Sequence, residues 1–286
     1  GTNGLTSIAS AYKAVNISGG KLTLGNLGTT ATVAVDASEQ TGKLTATLAG
    51  TGNLAVKLGS GGSAIDATAD TMTKDDVITG GAGADTLTTD TTTLTNALLV
   101  GVTGVETLDY DAASSITLTK PTDFTTFDFD AAGNQELVLG TGFTGAVTVD
   151  ITGDDTNADV ITNTANAAVT VKGNAADFDA TTDINGSATA TETLIIKADN
   201  GTAAITGAGA IDAVDVITIA DGTTAGTDVT IDVNAYGTAL TIDATALDAG
   251  TTASSADNEV LTISNVSGKA LTVKGGEGPD VIQDSA

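Results

Sequence analysis

The chain has 286 residues, with 36 Asp and Glu against ten basic side chains, all of them Lys, for a formal charge of −26 at pH 7. That balance excludes nucleic acid as a partner. The absence of His and Cys removes disulfides, thiolate metal sites, the usual ligands of catalytic zinc and the Ser-His and Cys-His nucleophile systems.

From the N-terminus, apolar residues at positions 5, 8, 9, 11, 12 and 15 predict a short helix or cap over Leu5–Val15. Beyond it the chain becomes a series of short alternations: KLTLGNL from Lys21, ATVAVDA from Ala31, KLTATLAG from Lys43 and NLAVKLG from Asn53. Thr93–Leu99 is a second stretch compatible with helix. The alternations then resume with SITLT from Ser115, TTFDFDA from Thr125, ELVLG from Glu136 and AVTVDI from Ala146, and run on to ALTVKG from Ala270. Each spans four to seven residues with period two, and successive ones start about ten to twelve residues apart. Side chains that alternate in this way point to opposite faces of a strand, so the chain is all-β.

Two architectures suit such a series, a repeated β-sandwich and a right-handed parallel β-solenoid or β-roll. A sandwich core usually carries large aromatics, whereas aromatic residues make up 3% of this chain and Trp is absent. Stacked coils need only small and branched side chains inside, which favours the solenoid. The segmentation expected is an N-terminal β segment over 1–88, a linker over 89–104 and a solenoid over 105–286. No run approaches the roughly eighteen apolar residues of a membrane-spanning helix, so no membrane insertion is expected.

The stretch DVITGGAGADTL carries the most specific chemistry. In nine-residue frames, TMTKDDVIT and GGAGADTLT place Asp76 and Asp85 at position six, and Ile78 and Leu87 at position eight. This is the pattern of the calcium-binding repeat G-G-x-G-x-D-x-U-x, where U is a large apolar residue. Asp supplies a hard oxygen on a short stem, and Gly80, Gly81 and Gly83 let the backbone turn tightly and approach an ion. A second copy, GGEGPDVIQ, presents Gly275, Gly276, Gly278 and Asp280. Calcium takes about six to eight oxygens, so the ligands are expected from stacked turns, which couples metal binding to folding. Weaker variants lie at Gly153, Asp154, Asp155 and Asp159, and at Gly207, Gly209, Asp212 and Asp215. Both end in the same Asp-Val-Ile-Thr as residues 76–79.

The other acids read as solvated. In LDYDA and TFDFD, Tyr110, Phe127 and Phe129 face in while Asp109, Asp111, Asp128 and Asp130 face out. No catalytic residue is expected, because no carboxylate pair carries the surroundings of a glycosidase and the lysines are isolated. Lys74, Lys172 and Lys274 lie beside turns or strand ends, where local charge balance or an intermolecular contact is their ordinary role.

Through DDVITGGAGADTL, GGEGPDVI, the connector GVTGVETLDYDAASSITL and its Thr/Ala/Gly/Asp strand texture, the chain resembles secreted RTX-type proteins, among them bacterial surface-layer (S-layer) proteins of the Caulobacter type. The resemblance implies a calcium-stabilised β-solenoid, exported through a type I secretion system and assembled with copies of itself into an extracellular lattice on the bacterial cell surface. It also implies cell-surface polysaccharide as a partner. An RTX adhesin or filament stalk, and the non-catalytic part of a secreted hydrolase or lyase, are the alternative readings.

Overall fold

The computed structural model describes residues 3–7, 14–26, 33–48, 52–69, 71–119, 123–129, 133–153, 159–174, 177–178, 182–187, 189–197, 203–205, 211–220, 229–232, 239–246, 261–264, 270–276 and 281–282. They form two compact units, 1–131 and 132–286. Every strand pairing resolved within them is parallel, which excludes the sandwich, and the chain is a right-handed parallel β-roll.

In the first unit the chain passes alternately between two sheets. A front sheet stacks Asn3–Ser7, Leu22–Asn26, Leu44–Thr47, Ala64–Asp66, Thr86–Thr89, Thr107–Tyr110 and Thr126–Asp128 in chain order. A back sheet stacks Ala14–Gly19, Val33–Gln40, Leu54–Lys57, Val77–Thr79 and Val102–Thr103. Consecutive strands thus belong to opposite sheets, and the spacing of about ten to twelve residues is half a coil. Leu87 pairs with Leu108 and Leu108 with Phe127, so these full coils take 21 and 19 residues.

Period two puts every second side chain inside, and the parallel register stacks like on like. Leu24, Ala46, Ile65, Leu87, Leu108 and Phe127 form one inward column, and Val35, Val56, Ile78 and Val102 face it from the back sheet. Burying each large member contributes about 1.5–3 kcal/mol, so a thin core suffices when every coil repeats it. Tyr110, inward as expected, donates its hydroxyl to the Thr91 carbonyl at 3.1 Å and packs near Phe129.

The second unit follows the same rule. Its front sheet stacks Val147–Asp150, Val169–Asn174, Glu192–Lys197, Val216–Ala220, Ala239–Asp243 and Ala270–Lys274. Glu136–Leu139, Val160–Asn163, Asp183–Asn185 and Ile211–Asp212 form a second sheet, and Ala203–Ile205, Val229–Asp232, Leu261–Ser264 and Val281–Ile282 a third. Val149, Val171, Leu194, Ile217 and Ile242 are its inward column.

Neither helix expected from the sequence forms where it is described. Asn3–Ser7 and Ala14–Gly19 are strands that take up both ends of the expected Leu5–Val15 element, and residues 8–13 lie outside the described residues. Parallel pairing with the next coil outweighed a local pattern that suits either state. In Thr93–Leu99 the amides of Leu98 and Leu99 both bond to the Thr95 carbonyl, giving a single turn, while Thr95 bridges to Thr117. Its β-branched threonines favour extended pairing over further turns. Residues 89–104 lie inside the first unit, where Val102–Thr103 pairs with Ile78–Thr79.

Candidate functional site

Asp76 immediately precedes a back strand and Asp85 a front strand of the same coil. The two sequence-predicted ligands therefore stand on opposite flanks of the coil. Both are buried, at 1% and 0% exposure, and both carboxylates face backbone N–H groups. Leu54 N donates to Asp76 Oδ1 at 2.7 Å and Thr73 N to Oδ2 at 2.6 Å. Ser63 N donates to Asp85 Oδ1 and Gly81 N to Oδ2, both at 2.7 Å.

Leu54 and Ser63 lie one coil earlier, level with the acids that receive their protons. At a strand's entry an amide is left outside the regular ladder, and a buried donor without an acceptor costs about 1–3 kcal/mol. An acid at the same place on the next coil supplies the acceptor. The weaker Asp-Val-Ile-Thr variants do the same: Gln135 N donates to Asp159 Oδ1 at 3.0 Å, and Glu192 N to Asp215 Oδ2 at 3.1 Å. Ile78, Ile161 and Ile217 are the inward residues two positions on. These motifs are staples between successive coils.

Gly80, Gly81 and Gly83 have a different reason from the turn conformations expected of them. The positive φ angles among the described glycines belong to Gly19, Gly62, Gly104 and Gly153. A Cβ on Gly80 would sit 1.6 Å from the Gly104 carbonyl oxygen, one on Gly81 1.8 Å from that of Gly59, and one on Gly83 2.1 Å from Gly62 N. They are glycines because the backbones of neighbouring coils press against them.

Three acids were not singled out by the sequence motifs. Asp85 N donates to Glu106 Oε2 at 2.8 Å, Gly104 N to Asp123 Oδ2 at 2.6 Å, and Glu192 is buried at the start of its strand. Their signal is an acid at or just before an alternating strand, one coil length after an equivalent position. Of the second motif, Gly275 and Gly276 follow the strand Ala270–Lys274, while Gly278 and Asp280 lie outside the described residues. Asp154, Asp155, Gly207 and Gly209 also lie outside them; Gly153 is described with a φ of 111°.

Among the described residues, no three acids converge closely enough to share an ion. The two flanks nevertheless differ. Level with Asp76 on the adjoining coils are Leu54 and Val100, which offer no side-chain oxygen. Level with Asp85 is the carboxylate of Glu106. Burial foremost, with the Glu106 charge adding to it, pushes the Asp85 carboxyl above its ordinary range, against the pull of the Gly81 and Ser63 amides. Asp85 thus has a second carboxylate level with it on the next coil, and Asp76 does not.

The outward lysines balance charge locally: Lys74 with Asp75 at 2.6 Å, Lys172 with Asp150 at 2.6 Å and Lys274 with Asp243 at 2.7 Å. Chiefly through the Lys274 hydrogen bond, the Asp243 carboxyl is held down at about 2. Glu192, like Asp85, is raised, mainly by burial.

These opposite shifts contribute opposite terms to the pH dependence of the metal-free chain. Asp85 and Glu192 bind protons more readily folded than unfolded, so their contribution to stability is greatest below their unfolded values and is lost as pH rises through the raised folded ones. The Asp243 contribution is present above its unfolded value and lost as pH falls through about 2. In chelator, Asp85 and Glu192 are therefore expected to raise the thermal midpoint as pH is lowered from neutral toward the ordinary carboxylate range. A midpoint that falls over that interval contradicts the assignment.

No family model, curated protein or solved structure matches the chain. Among the described residues no helix is long and apolar enough to cross a membrane.

Proposed function

We propose that this chain is a structural module of an extracellular bacterial surface layer, assembling with copies of itself in a calcium-dependent lattice. The observation that carries the reading is the contrast between the two outer faces of the first unit. On the front sheet one outward column is Thr23, Thr45, Ala64, Thr86, Thr107 and Thr126, and the next holds Asp66, Asp109 and Asp128. On the back sheet the corresponding column is Ala14, Ala34, Ala55 and Val77, with Asp36 beside Lys57 in the next.

A shallow groove of about 290 Å³ runs along these back-sheet residues, and Val77 is 47% exposed. In a chain of net charge −26, four rows that carry Asp36 and Glu39 against Lys57 are weakly charged, and give a face on which two copies approach with little repulsion. Small outward side chains also allow close sheet-to-sheet approach. Asp85 and Glu106 are the residues that would hold calcium in this unit, where the ion would neutralise buried charge between coils.

Electron microscopy of the purified chain with added calcium tests the proposal. Ordered two-dimensional sheets are expected, and Val77→Asp, which adds an uncompensated charge to the weakly charged face, is expected to abolish them while leaving the coil folded. Isolated fibres would point instead to a stalk, and monomers at every calcium concentration would refute self-assembly.

A further inference from the structure

Glu192 opens the strand Glu192–Lys197 on the inward side, with the buried Leu194 and Ile196 following it on the same side. Level with it one coil earlier is Val169, a core residue. A carboxylate in such a place is 2% exposed and needs either full hydrogen bonding or a counter-charge. Oε1 is satisfied by Asn163 Nδ2 at 2.7 Å and Ser187 N at 2.8 Å. Oε2 is enclosed with no hydrogen-bond partner.

One coil later, Asp215 stands level with Glu192; its exposed carboxylate accepts the Glu192 backbone amide at 3.1 Å, and its charge acts on the Glu192 carboxyl. The same relation joins Asp85 to Glu106 at 2.8 Å in the first unit, but there both oxygens of the buried acid already face amides. Of these two buried acids, Glu192 is the one with an enclosed oxygen that no amide meets. Among the described residues, Lys172 pairs with Asp150, and Lys197 lies at the opposite end of the Glu192 strand.

We propose that Glu192 and Asp215 hold a divalent cation of the calcium type between two successive coils of the second unit. A proton on Oε2 would remove the charge yet leave an enclosed donor needing an acceptor, whereas a cation satisfies the oxygen and offsets the repulsion from Asp215. Backbone carbonyls and water complete the shell of a calcium ion, which tolerates irregular oxygen geometry; magnesium demands a near-ideal octahedron. Two carboxylates place the affinity at about 10⁻⁴–10⁻³ M, the range of extracellular calcium modules. The site depends neither on assembly of the chain nor on Asp85.

Hydrogen exchange of the 286-residue chain, compared in chelator and in calcium at about ten times the dissociation constant, reads the site locally. Calcium is expected to slow exchange in Glu192–Lys197 and Val216–Ala220 by about tenfold in the wild type and in Asp85→Asn. In Glu192→Gln the calcium effect is lost there, while protection in chelator equals or exceeds that of the wild type because the unpaired charge is gone. Asp215→Asn, which leaves Glu192 and its packing in place, is expected to lose the calcium effect as well. The proposal is overturned if wild-type exchange in these strands ignores calcium, if both variants keep the full response, or if sodium at matched ionic strength protects equally.

Discussion

Replacing Gly81 with alanine is expected to destabilise the first unit by about 3 kcal/mol or more, whereas Gly145→Ala changes stability by no more than about 0.5 kcal/mol. Both glycines lie in turns outside the strands. A Cβ on Gly81, however, would lie 1.8 Å from the carbonyl oxygen of Gly59, and the obstructing atom is backbone that cannot rotate aside. Around Gly145 nothing lies within 4 Å of the added carbon. Urea unfolding of the two variants gives the comparison directly. The Gly81 loss should already be present in chelator, because it arises from coil-to-coil contact. Two variants of equal stability would show that Gly59 and Gly81 do not approach as described.

Asp76→Ala should cost about 2–5 kcal/mol, since it strips the acceptor from two amides, Leu54 N at 2.7 Å and Thr73 N at 2.6 Å, at a place 1% exposed. Asp76→Asn keeps one oxygen and turns an NH₂ toward a remaining donor, so it should recover only part of the loss. The informative measurement is the change in unfolding free energy for each variant at low and high calcium. A staple predicts a loss independent of calcium, whereas a loss confined to high calcium would make Asp76 an ion ligand after all. Asp85→Ala should behave otherwise, with a loss that depends on calcium, because a second carboxylate stands level with it.

These expectations show how unevenly the molecule can be read from its residues. The strands at Leu44–Thr47, Leu54–Lys57, Thr107–Tyr110 and Val147–Asp150 were legible because each carries its own alternation, and the inward set follows from that alternation alone. Tyr110 and Phe127 were legible as core for the same reason. Leu5–Val15 was not, because an apolar pattern that suits both helix and strand is decided by the neighbour available for pairing. The acids at strand entries were visible one at a time. Glu106 and Glu192 were passed over because no glycine motif surrounds them; the Glu106 carboxylate accepts from an amide 21 residues earlier, and the Glu192 amide donates to an acid 23 residues later.

By itself the sequence determined which side chains face the core and which acids stand at the mouths of strands, since both are properties of a few consecutive residues. The tertiary structure alone decided which acids meet. Asp76 and Asp85 are nine positions apart yet on opposite flanks, because half a coil separates them. Asp85 and Glu106 are 21 positions apart yet level, because that is the length of a full coil there. Coil length is set by the sum of two strands and two turns of variable size, and parallel hydrogen bonding then locks the register. A pattern confined to nine residues has no access to either.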